Sequence, residues 1–173
     1  SKVYYKQLPL LAREALLDLT PAKAYVGISH TEGMTFVRRY FREDGAFTSI
    51  HYQETSSAPI VRHESDPDTE MRTVRFDREG DKKDVLMVNY QTHYGGATGL
   101  YPEQVSADFI LPFRQQAEKK YDCLFAYQSG AGGNINFNSA IPGEDPYPTF
   151  PDAIPAFIKA TDQAQKRHHD GKD

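Results

Sequence analysis

The clearest pattern in the chain is "VLMVNY", residues 85–90, where four apolar residues stand in a row before the sequence turns polar in "QTHYGG". A short apolar run bounded by charge on one side and glycine on the other predicts a strand buried on both faces. Just upstream, Val74 and Phe76 alternate with polar residues, and a charged turn around Gly80 follows. Together these segments predict a β-hairpin of one half-exposed and one central strand. Beyond the glycines, "SADFILPFRQQAEKK" predicts a helix over 106–119, with Ser106 or Asp108 near its N-cap and lysines at its C-terminal end. Pro112 is tolerable there because it falls in the first turn or two. "DCLFAYQ", residues 122–128, predicts another apolar strand.

The flanks are read the same way. Leu8, Leu11, Ala15, Leu16 and Leu19 stand at helical spacing until Pro21 ends the helix. "AYVGIS" predicts a short strand, "TFVRRYF" a second one after a Gly33 bend, and "EDGAF" a turn. Residues 53–70 are polar, contain proline and show no periodicity, which predicts a long surface excursion. Residues 142–155 are rich in Pro, Gly and aromatics, "AIPAFIKATDQAQKR" predicts a closing helix, and residues 168–173 read as a frayed tail.

Strand 84–90, helix 106–119 and strand 122–128 form a βαβ unit of the usual size. The fold expected is α/β: a mixed β-sheet containing this parallel βαβ unit, flanked by helices, in a single domain over residues 1–173. Parallel strands finish at the same edge, so "QTHYGG" and "QSGAGGNIN" are expected side by side. In open α/β sheets ligands bind outside the carboxyl ends of strands. His93 therefore stands where chemistry is expected.

Composition narrows the classes. A chain of 173 residues with 39% hydrophobic content supports one domain with a real core. No apolar run approaches the roughly 20 residues that span a bilayer, and no basic stretch followed by an apolar one opens the chain. It begins with Ser rather than Met, which reads as a processed or excised chain. Net charge is −4 with lysines and arginines dispersed among acids, so the basic patch that nucleic-acid binding needs is missing. The single cysteine, Cys123, excludes an intrachain disulfide and a cysteine-rich zinc cluster, and its apolar neighbours predict a small buried hydrophobe.

The candidate chemistry lies at the two strand ends. Gly130, Gly132 and Gly133 could expose N–H groups that cradle an oxyanion or phosphate, or simply permit positive φ in a tight turn. No Gly-x-x-x-x-Gly-Lys pattern is present to favour a nucleotide. One histidine makes no metal site, because zinc takes three or four ligands. His30 also follows a strand, while His51 and His63, in or near the polar excursion, are expected to be solvated. The mixed-charge "KRHHDGKD" end reads as helix terminus rather than metal site.

These residues resemble the neutral/alkaline ceramidase family, in the middle of its catalytic domain, over approximately residues 24 to 138. That family has a hydrophobic strand ending in Thr-His, a Ser-x-Asp before a helix, and a strand ending in an Ala-Gly-Asn loop. Here the counterparts are "VNYQTHYGG", "VSADF" and "AYQSGAGGNIN", and "TFVRRYF" occupies the place of an upstream Asn-Arg pair. The resemblance implies zinc-dependent hydrolysis of an N-acyl amide or related acyl bond, with a small-molecule or lipid-like acyl substrate. It makes His93 a zinc ligand and places Arg38 near the site, where a guanidinium could hold an anion or developing oxyanion. Val37 stands where the family has asparagine, and Arg39 competes with Arg38 for the role.

Two departures qualify the resemblance. The family's serine nucleophile lies in a Gly-Asn-x-Ser-Pro-Asn loop, whereas this chain reads "GNINFN", with Asn136 in the serine's place and Phe137 in the proline's. An amide cannot act as an activated alkoxide, so hydrolysis would need direct attack by zinc-activated water, with Asn136 only donating or accepting hydrogen bonds. Ser129 and Ser139 are off-register. The family's other ligands, a preceding histidine and a later glutamate and tyrosine, have no counterparts. The chain is therefore read as a fragment of a larger ceramidase-like hydrolase, itself weak or inactive. The alternative is an inactive ligand-binding or scaffold domain whose Tyr90, Tyr94, Tyr101, Tyr127 and Tyr147 rim a polar pocket. An incomplete sheet edge would favour homo-oligomers.

Overall fold

The computed structural model describes residues 2–49, 56–94, 106–137, 139–144 and 150–169. Its centre is a four-stranded sheet built from β1 (Ala22–His30), β6 (Glu70–Arg78), β7 (Val85–Tyr90) and β8 (Leu124–Ser129), in the order β1-β6-β7-β8. β6 pairs antiparallel with both β1 and β7, and β7 pairs parallel with β8, with Tyr90 opposite Ser129. The mixed α/β sheet and the βαβ unit are as the hydrophobic pattern predicts. The hairpin turn uses Gly80 at φ 71°, in the left-handed region that glycine adopts without steric cost.

Between the parallel strands runs α2 (Ile110–Tyr121). It begins later than the sequence suggests, because Ser106 and Asp108 shape the turn before it. The Ser106 hydroxyl accepts the Asp108 N–H at 3.0 Å, the Asp108 carboxylate accepts the Phe109 N–H at 2.8 Å, and the N-cap is Phe109 without a side-chain cap. Asp122 ends the helix in the left-handed conformation, φ 46°. The closing helix α3 (Phe150–His169) packs against α2, β1 and β6. The helix extends to His169, and residues 170–173, most of the tail expected to fray, lie outside those described.

Both helices cover one face of the sheet. The core beneath them joins Met71, Leu86, Val88, Tyr90 and Phe125 from the strands to Phe113, Ala117, Ile154 and Phe157 from the helices. Phe157 stands at its centre, its ring 5.2–5.7 Å from those of Tyr90, Phe109, Phe113 and Phe137. Cys123 is buried and unbridged, and burial pushes its thiol pKa up. Arg75 ties this face together, donating to Asp77 at 3.0 Å, Asp84 at 2.6 Å and Gln165 of α3 at 3.0 Å.

The opposite face is open. Along β7 burial alternates: Leu86, Val88 and Tyr90 are buried while Val85, Met87 and Asn89 are only half-covered. The expectation of a strand buried on both faces is thus corrected. Val85 and Met87 are as apolar as their neighbours, so hydropathy cannot reveal that one side lacks a covering layer. On that side Val26 is 62% and Leu124 is 44% exposed. The first helix, α1 (Lys2–Leu17), does not supply the cover, for none of its residues is buried. It is tied to the sheet just past its end, where Asp18 accepts from Arg78 at 2.7 Å and pairs with Lys82. A shallow apolar cavity of about 390 Å³ lies at that junction, between Leu19, Phe76 and Leu124.

Two small sheets complete the described residues. β2 (Phe36–Val37) pairs with β9 (Ile135–Asn136), and β3 (Arg39–Arg42) lies between β4 (Phe47–Ser49) and β5 (Ile60–His63). β5 lies within residues 53–70, the segment expected to be a surface excursion. It is held by ladder bonds to β3, broken by a bulge between Phe41 and Arg42, and its middle residues Val61 and Arg62 are exposed, so it carries no apolar signal. Among the described residues, no helix is long and apolar enough to cross a membrane.

Candidate functional site

The parallel pairing of β7 and β8 brings "QTH" and "SGAGGNIN" to one rim. The contact is direct: the His93 N–H donates to Ile135 O at 3.1 Å, and the Gly130 N–H to Tyr90 O at 3.0 Å. The glycines act here through size. A Cβ on Gly132 would lie 2.8 Å from the carbonyl carbon of Thr92, and one on Gly130 would lie 3.3 Å from Gln91 Cβ. Neither these two nor Gly133 has positive φ. The positive-φ expectation is therefore corrected: at Gly130 and Gly132 glycine fits because the two loops touch, while a Cβ on Gly133 would meet open space. The anion-cradle expectation also loses two donors, since the Gly130 N–H serves Tyr90 O and the Gly132 N–H serves Gly130 O at 2.8 Å.

His93 is exposed, and its Nδ1 contacts the Tyr94 carbonyl oxygen. A carbonyl only accepts, so Nδ1 carries the hydrogen and, in the neutral ring, Nε2 keeps its lone pair. This is the tautomer a metal ligand needs, fixed by its second nitrogen. The neighbouring Thr92 is fully buried, and its hydroxyl has no hydrogen-bond partner among the described residues.

Arg38 and Asn136 reach the same rim from the β2–β9 ladder. Asn136 stands opposite Phe36, the Arg38 N–H donates to Asn134 O at 2.9 Å, and its guanidinium donates to Gly133 O at 2.6 Å. Arg39 instead pairs with Glu64 at 2.8 Å. His93, Arg38 and Asn136 thus converge on one loop cluster, although they come from three separate parts of the sequence. His30 is apart from them, its Nδ1 3.2 Å from Thr69 Oγ1.

The aromatic rim expected of a binding domain is largely interior. The Tyr90 hydroxyl accepts from Thr31 at 2.7 Å inside the core, the Tyr127 hydroxyl donates to Tyr90 O at 2.8 Å, and Phe137 packs on Phe109 and Phe157. Burial pushes both phenol pKa values up. Tyr94 is exposed, while Tyr101 and Tyr147 lie outside the described residues.

One group escaped the sequence reading. His63, expected in solvent, has a side chain only 17% exposed and is held by Val37 O, Glu144 and Ser139. His51 lies outside the described residues. Nothing in the local sequence links His63 to residues 76 and 81 positions away.

Among solved structures the chain is similar to a ceramidase complexed with C2, with a TM-score of 0.60 and 15% identity over 89% of this chain and 23% of that one. It is also similar to neutral ceramidase from Pseudomonas aeruginosa, with a TM-score of 0.55 and 15% identity over 90% of this chain and 24% of that one. The fold is ceramidase-like. The chain spans about a quarter of the length of these ceramidase structures. No protein-family model and no curated protein sequence matches it. Among the described residues of this ceramidase-like fold, no three His, Cys, Asp or Glu side chains gather into a metal shell. The zinc expected from the resemblance therefore has no ligand set among the described residues.

Proposed function

We propose that the chain is part of a ceramidase-like, zinc-dependent hydrolase acting on an N-acyl amide or related acyl bond. The observation that carries this reading is the seam at the ends of β7 and β8, where His93 donates its backbone N–H to Ile135 beside Asn136. The ceramidase-like fold supports it. In this proposal His93 offers Nε2 to zinc, with Tyr94 O holding its other nitrogen, and the remaining ligands come from outside the described residues. Zinc, when bound, supplies Lewis acidity and an acidified water.

The chain's own residues do the rest. Asn136, held on a two-residue ladder, presents an amide that can donate to a developing oxyanion but cannot form an acyl intermediate. Arg38 spends one guanidinium N–H on Gly133 O, which fixes the glycine loop against His93 and keeps a positive charge at the rim. The reading is tested by isothermal zinc titration of the complete ceramidase-like protein, with N-acyl amide cleavage followed in parallel. Saturable uptake that His93→Ala weakens at least tenfold is the expected result. No uptake, or uptake unchanged by His93→Ala, rejects it.

A further inference from the structure

His63 sits at the end of β5 among partners that fix its protons. Its Nδ1 lies 2.6 Å from Val37 O, a group that only accepts, so Nδ1 bears a hydrogen. Its Nε2 lies 2.8 Å from Glu144 Oε2 and 3.1 Å from Ser139 Oγ. The Ser139 hydroxyl donates its single hydrogen to the same Glu144 oxygen at 2.7 Å and accepts the Ile141 N–H at 3.0 Å. Burial would raise the Glu144 carboxyl pKa, but the hydrogen bonds from Ser139 and His63 outweigh it and hold the group below the usual carboxylate range. Glu144 is thus an acceptor, and the 2.8 Å contact is a hydrogen bond only when Nε2 also carries a hydrogen. The arrangement requires imidazolium. Two aromatic rings pack against it, Phe36 stacked at 5.5 Å and Tyr40 tilted at 4.9 Å.

We propose that doubly protonated His63 is a positioning residue, a one-proton latch that fastens residues 139–144 onto β2 and β5 and so sets the exit of β9, the strand that carries Asn136. The latch bridges three parts of the chain: Val37 precedes Arg38, His63 ends β5, and Ser139 to Glu144 follow β9. Tyr40 reinforces it, its hydroxyl accepting the Ala140 N–H at 3.1 Å. Loss of the second proton leaves two acceptors facing each other across Nε2 and Glu144. The other charges nearby do not replace it. Glu32 and Asp66 line the cavity of about 270 Å³ beside His63 and Glu144. Arg39 is engaged by Glu64, and Arg62 of β5 lies over the Phe41 ring at 4.1 Å. The consequence for catalysis rests on the proposed function; the latch itself does not.

The test is amide hydrogen exchange by NMR on the full chain between about pH 5 and 9, corrected for base-catalysed intrinsic exchange, alongside titration of the His63 ring. Protection of the Ala140 and Ile141 amides should fall about tenfold or more as the imidazole deprotonates, while amides of the β6–β7 ladder stay protected. In Glu144→Gln, whose amide can donate to a neutral ring, this pH dependence should vanish or reverse. In His63→Asn, protection at 140 and 141 should be low at every pH. Protection that ignores the titration, or the same pH dependence in Glu144→Gln, overturns the proposal. Glu144→Gln keeps the test open should His63→Asn fail to fold. Because no step reads zinc or hydrolysis, failure of the latch and failure of the hydrolase reading are told apart.

Discussion

The two faces of the central sheet share the same strands and differ in what lies on them. On one face Leu86, Val88 and Tyr90 are sealed beneath α2 and α3. On the other, one residue along, Val26, Val74, Met87 and Ala126 form a cross-strand row that is half-covered to exposed. The strand ends that carry His93 and the glycine loop are held from the covered side, through buried Tyr90 and Thr92 and partly buried Tyr127. Apolar composition alone therefore does not make a core; two layers must meet over it.

The contrast can be broken at several points, the largest first. Phe157→Ala removes the ring on which four others converge and should cost about 3–5 kcal/mol in urea or thermal unfolding. Gly132→Ala should cost about 2–3 kcal/mol, because its Cβ meets the Thr92 backbone rather than a side chain that could move. It should also shift the His93 and Ile135 amide resonances, since it pries the seam apart.

Asp84→Asn should cost about 2 kcal/mol at neutral pH by weakening the charge-assisted bonds to Arg75. Burial tends to raise the Asp84 pKa, but the Arg75 guanidinium and the Arg78 N–H outweigh it and hold the carboxyl below its ordinary range. A depressed folded-state pKa stabilises above the unfolded value and is lost as pH falls through the folded one. Unfolding temperature should therefore fall on acidification below the carboxylate range, and fall less in Asp84→Asn. Thr92→Val should gain about 1 kcal/mol by removing a buried hydroxyl without a partner among the described residues. Val26→Thr, on the open face, should change stability by less than about 0.5 kcal/mol. A loss of more than about 2 kcal/mol there would erase the difference between the faces.

What could be read from the chain followed the range of each signal. The hairpin and the βαβ unit were legible because strand and helix periods are local, and they alone bring His93 beside "GAGGNIN". The convergence of Arg38 and Asn136 followed the resemblance rather than any pattern. β5 was hidden because an edge strand with exposed Val61 and Arg62 shows no alternation. The burial of Tyr90 and the partial burial of Phe137 were hidden because an aromatic residue reads the same in a rim or a core. The His63 contacts join residues up to 81 positions apart through a carbonyl, a hydroxyl and a carboxylate, and no spacing encodes that.

The junction at Asp18 has a mechanical consequence. With no buried residue of its own, α1 is a lever whose angle is set by two cations on one exposed carboxylate, the largely buried Arg78 and the exposed Lys82. Ions in solution compete for that fulcrum, so raising ionic strength from 0.01 to 1 M, over which the screening length shrinks from about 30 to about 3 Å, should loosen the lever while leaving the sheet's melting nearly untouched.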